Sequence, residues 1–149
     1  MLGRKTYTRD EIDHGKTAIE HQFAAYRKLV KAMPAPTSDK KITAALDPFE
    51  ALFFNNLTLV LDRYFVHRLS GPKHEGKDGN PLNEVRIICD SLITNDGVMR
   101  SDTQIKLPPE RSITKLQVGD RIAITAAQFE ALSTGFFTEL EQRFLEEAS

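Results

Sequence analysis

Apolar positions along the chain recur mainly at helical spacing, and four helix starts stand out. Ile12, Ile19, Phe23, Tyr26, Val30 and Met33 fall within about 80° of arc at ~100° per residue, one face of an amphipathic helix. Upstream, Thr8-Arg9-Asp10-Glu11 has the form of a capping box, and Tyr7 with Ile12 occupies the positions of a hydrophobic staple. Pro34 and Pro36 end this first helix, because each lacks an N–H and restricts its predecessor. Residues 34–46 read as a connector, with room for one helical turn over 40–46.

A second helix is expected from Asp47-Pro48-Phe49-Glu50, with Asp47 as N-cap and Pro48 at the first helical position, to about Ser70 before Gly71-Pro72. It is apolar almost all round (Phe49, Leu52, Phe53, Leu57, Val60, Leu61, Phe65 among others), which predicts a central helix packed on several sides. Asn55, Asn56, Asp62 and His67 interrupt that surface. Asn80-Pro81 opens a third helix, whose face is Leu82, Val85, Ile88, Cys89 and Leu92, and Asn95-Asp96-Gly97 closes it. A fourth helix begins at the capping box Thr125-Ala126-Ala127-Gln128, with Ile124 and Phe129 as staple. Between these two helices the period changes to alternation, at Leu116 and Val118 and at Ile122 and Ile124 around Gly119-Asp120. That pattern predicts a small β-hairpin, with 104–107 as a further short strand. The expected fold is mainly α, a four-helix bundle-like core with a small β-hairpin between the third and fourth helices, in one domain over 1–149.

Charge and cysteine content narrow the function classes. Twenty basic and 21 acidic residues nearly cancel, leaving a net charge of −1. That balance disfavours nucleic acid as a partner, since such proteins usually carry a basic excess or stripe. The single cysteine, Cys89, cannot form an internal disulfide. No apolar run is long enough for a membrane span and residues 1–10 lack a leader-like apolar core, so a cytoplasmic protein is expected.

Candidate chemistry is sparse. Glu11-Ile12-Asp13-His14 is the lone Glu-x-x-His match, where diiron bundles use two. Glu11 is already used by the capping box, and His14 lies away from the apolar face. His14 and His21 are ~10 Å apart along a helix, too far to share one metal ion. Both read as solvated. No metal and no cofactor is expected. Cys89 shares the third helix's core face and reads as an apolar filler. Asn55 and Asn56 need hydrogen-bond partners wherever they are buried.

The most suggestive stretch is 71–80, with three glycines and two lysines leading into a helix start that can hold an anion. His67, Arg68, Lys73, His74, Lys77, Asn80 and Arg86 form a candidate site for a small anionic ligand, His67 or His74 being the groups that titrate near neutrality. The stretch matches neither the P-loop nor the dinucleotide pattern. Without a complete catalytic constellation, the leading expectation is a non-enzymatic helical module that binds a protein partner or a second copy of itself. An anion-binding protein or enzyme using the 71–80 loop is the alternative.

Overall fold

The computed structural model describes residues 6–33, 40–68, 78–102 and 105–146. It is mainly helical. Four α-helices and no β-strand occur among the described residues: α1 Arg9–Ala32, α2 Lys40–Tyr64, α3 Pro81–Thr94 and α4 Ala126–Phe144. None of these helices is long and apolar enough to cross a membrane.

Three of the four starts lie where the caps put them. The Thr8 and Thr125 side chains accept from the N–H groups of Glu11 and Gln128, whose own side chains reach back to the cap N–H, completing both capping boxes. Asn80 accepts from the Asn83 N–H, with Pro81 at the first position of α3. Both staple pairs, Tyr7 with Ile12 and Ile124 with Phe129, are buried.

The start of α2 differs. Asp47 does not cap a helix; α2 begins seven residues earlier, at Lys40, and runs through Pro48. An internal proline removes one backbone hydrogen bond and crowds the carbonyl four residues back, at a cost of about 3 kcal/mol. Leu46, packed against the hydrophobic core, offsets part of that cost by keeping the preceding turns helical. The end also comes early. Phe65 N–H is shared between the carbonyls of Leu61 (3.3 Å) and Asp62 (3.2 Å), which tightens the chain into a 3₁₀ turn at Val66–Arg68. His67 therefore lies beyond the helix and is exposed, not at a core edge in its last turn.

The expected hairpin does not form. Its alternation is real, since Ile122 and Ile124 are buried while Arg121, Ala123 and Thr125 are exposed. The backbone, however, pairs elsewhere. Met99 N–H donates to Asp120 O, Gly119 N–H to Met99 O and Ile122 N–H to Gly97 O, each at 2.8 Å. The result is one antiparallel bridge between Val98 and Arg121. Residues 105–107 are likewise not a strand, and Gln104 lies outside the described residues.

Aromatic side chains fill the centre. Phe54 meets Phe23 at 5.3 Å and Phe129 at 5.5 Å between ring centroids, and Phe65 meets Phe137 edge-on at 5.6 Å. Such contacts add about 0.5–1.5 kcal/mol per pair beyond area burial. Tyr7 ties the chain ends to this core. Its N–H donates to Phe144 O (2.7 Å), its carbonyl accepts from Glu146 N–H (2.8 Å), and its hydroxyl donates to Phe65 O (2.8 Å). The most enclosed helix is α3, with eight buried residues out of 14. Although α2 packs against the other three helices, its N-terminal half leaves apolar side chains in solvent, so it is only partly central.

Phe65 also touches Gly15 of α1. A Cβ there would stand 2.7 Å from Phe65 Cε2 and closer still to Cζ. Gly15→Ala should therefore destabilise the fold by about 1–3 kcal/mol through overpacking, reversing the gain of roughly 0.5–1 kcal/mol usual for this exchange inside a helix. Urea denaturation checks the sign.

Candidate functional site

The site grows from a carboxylate inside α3. Glu84 has no solvent-accessible surface. A buried charge is tolerated only where donors meet it, and four do. Glu84 Oε1 accepts from Ile113 N–H (2.8 Å). Its Oε2 accepts from Thr114 N–H (2.9 Å), Thr114 Oγ1 (2.7 Å) and Ser112 Oγ (3.1 Å). The carboxylate thus pins the middle of the α3–α4 connector to the side of α3.

Side chains of α2 and α4 hold the rest of that connector. Asn55 Nδ2 donates to Ile122 O (2.9 Å) and its Oδ1 accepts from Ile124 N–H (3.1 Å), as a neighbouring strand would. This is the structural network expected of a buried asparagine; Asn56, by contrast, is exposed. Gln128 Nε2 reaches Thr114 O (3.2 Å). Glu50 Oε1 accepts from Ala126 N–H (2.6 Å) at the first position of α4, where a negative charge also suits the helix dipole. Glu50 takes a second hydrogen bond, from the Tyr26 hydroxyl. Burial, the Glu50 charge and this hydrogen bond, with Asp47 behind them, push the Tyr26 phenol up to about 12.

The pinned connector forms one wall of a cleft of about 600 Å³. The other residues that line it are 99–102, 105–109 and Ile87 of α3. Met99 and Ile105 are buried beside it, and Leu107 and Leu116 half-buried. Arg100, Lys106 and Lys115 stand at the rim with one carboxylate, Asp102. Lys115 has φ +61°, the left-handed region that side chains rarely adopt. Two other depressions are present among the described residues. One lies between α1 and α4 and is bordered by the Arg27–Glu130 ion pair at 2.6 Å. The other is an open hollow holding Tyr7, His14 and Arg68.

The candidate anion residues are placed as follows. Lys73, His74 and Lys77 lie outside the described residues. The side-chain oxygen of Asn80 is used as the α3 cap. Arg68 leans over the Tyr7 ring, 6.0 Å from its centroid, in the hollow with His14. Arg86 donates to Val66 O (3.5 Å). Burial pushes the Asp62 carboxyl up, and His67, Arg86 and Arg63 act against that rise. Arg86 thus reaches the turn that carries His67, while Arg68 is turned toward Tyr7. Cys89 is buried, its Sγ 3.5 Å from Thr58 O; burial first, and then Asp62 and Asp90, push its thiol well above the ordinary range. That environment suppresses the reactive thiolate. His14 and His21 are exposed. No group of three His, Cys, Asp or Glu side chains is placed to hold a metal ion among the described residues.

Glu84, Glu50 and the cleft residues escaped the sequence pattern. One signal for Glu84 was present: it precedes Ile87 and Ile88 by three and four positions, so it shares their buried face. Nothing in the sequence joins Ile87 to Lys115. No protein-family model, no curated protein and no solved structure matches the chain.

Two outcomes follow from these contacts. Glu84→Gln sets an amide N–H₂ against donors in either orientation, so it should cost about 3 kcal/mol in a denaturation experiment. Tyr26 in the folded chain keeps its proton above the ordinary phenol pKa of ~10. Its contribution to stability is therefore complete below pH ~10 and is lost as pH rises toward 12. Measured against Tyr26→Phe, the wild-type chain should lose stability selectively across that window.

Proposed function

We propose that the protein is a non-enzymatic helical module, a bundle-like single domain of the cytoplasm, that associates with a second copy of itself through the outer face of α2. One observation carries the reading. Ala45, Pro48, Phe49 and Leu52 are all exposed, with Leu52 at 65% and Phe49 at 45%. At ~100° per residue these four positions and Asn56 fall within about 100° of arc, a continuous stripe roughly 17 Å long.

The occupant follows from the chemistry of that stripe. A two-fold interface sets a surface against itself, so any charge near the axis meets its own sign. From Ala45 to Asn56 the stripe carries no charge, which makes it self-compatible. Ala45 and Pro48 are small enough to let two helices approach closely, while Phe49 and Leu52 supply apolar area. Phe49 is also rigidly backed, since its ring stacks on Phe53 at 5.9 Å and Phe53 stacks on Tyr26 at 5.5 Å. Exposed Asn56, at the end of the stripe, is placed to set register as a lone polar residue does in paired helices. The balanced net charge and lone cysteine suit such a module in a reducing compartment.

A patch of this size predicts a weak dimer, with Kd in the range of about 10–500 µM. Sedimentation equilibrium should show concentration-dependent dimerisation. Leu52→Glu should leave the helical signal and melting temperature unchanged, because the side chain is exposed, yet hold the chain monomeric. A wild-type chain that is still monomeric at about 1 mM would retire the reading.

A further inference from the structure

We propose that the cleft lined by 99–102, 105–109 and 115–118 binds a small amphiphilic carboxylate, a hydrocarbon body carrying one anionic end group. The cleft shares no residue with the α2 stripe, so this binding stands apart from self-association. Its volume of about 600 Å³ lies within the range of small-molecule sites, which combine apolar walls with a few placed polar groups. Ile87, Met99, Ile105, Leu107 and Leu116 supply the walls.

The end group follows from the rim. Arg100, Lys106 and Lys115 face a single carboxylate, Asp102. Asp102 is engaged by the fold, its Oδ1 accepting from Ile105 N–H (2.8 Å). Arg100 is paired with Asp90. Lys106 and Lys115 are the two ammonium groups that suit the anion. Lys115 Nζ donates one hydrogen to Pro109 O (2.6 Å) and keeps two more.

The walls are also built to stay apart. Glu84 and the Met99–Asp120 and Gly119–Met99 backbone bonds hold one side against the other without filling the space between. Lys115 is kept in its left-handed conformation by its N–H, which donates to Ser112 Oγ (2.9 Å), itself a donor to Glu84. Strained backbone of this kind persists where the surroundings over-determine it. Here it sets the root of the Lys115 side chain at the mouth of an apolar cleft.

Decanoate is the probe, and decan-1-ol has the same body without the charge. Both are titrated into the full chain, followed by methyl NMR and calorimetry. Decanoate should shift the methyl signals of Ile87, Met99, Ile105 and Leu116 saturably. The double variant Lys106→Gln/Lys115→Gly should weaken decanoate roughly tenfold and change decanol by less than about twofold. Glycine adopts positive φ freely, so this variant removes the ammonium without unfolding the loop, and an unchanged melting temperature confirms that. Three outcomes overturn the proposal: no saturable shift at about 1 mM decanoate, shifts centred outside the cleft, or decanoate and decanol losing affinity equally in the double variant.

Discussion

A carboxylate with no access to water must have its lone pairs met by donors, and Glu84 meets that demand with a stretch of chain rather than with a cation. Its four bonds to residues 112–114 decide where the long α3–α4 connector lies. Once that segment is fixed, Gln128 can reach Thr114 and Asn55 can receive Ile122 and Ile124. The N-terminus of α4 is then delivered to Glu50. Each of these is a side chain satisfying backbone groups that a sheet would otherwise satisfy. The connector is thereby ordered without regular secondary structure.

The same arrangement separates two surfaces. Polar side chains of α2, Glu50 and Asn55, bond to the connector and the start of α4, while Phe49 and Leu52 face solvent. The aromatic stack from Phe49 through Phe53 and Tyr26 to Phe54 links that outer stripe to the core. The cleft lined by Ile87 uses none of these residues. The outer stripe and the cleft are therefore separate surfaces of one small chain. α2 is apolar almost all round although only part of it is covered.

What was legible in the sequence was local. Thr8 with Glu11, Asn80 with Pro81, and Thr125 with Gln128 were readable because a cap joins residues three apart and needs no distant partner. The inward alternation of Ile122 and Ile124 and the burial of Cys89 were readable for a similar reason, since periodicity reports which face is covered. The candidate anion residues were drawn from a contiguous stretch by charge alone. The fold directs Arg68 to Tyr7 and Arg86 to the Val66 carbonyl, directions that charge along the sequence does not encode.

By itself, then, the sequence determined that the chain is mainly helical, where three of its helices start, and which of their faces are apolar. Tertiary structure decided what each face meets. It carried α2 through Pro48, where packing of Leu46 offsets part of the cost of a local breaker. It replaced a hairpin with one bridge and a set of side-chain anchors, because Asn55 and residues 97–99 offered the backbone of 119–124 better-placed partners than its own neighbours did. It also made a cleft from Ile87, Met99 and Leu116, residues brought near one another by the bonds from Glu84 to 112–114 and by the backbone bonds of Met99 to Gly119 and Asp120. Caps and periods act over one or two turns, whereas the partner of a buried polar group can be thirty residues away.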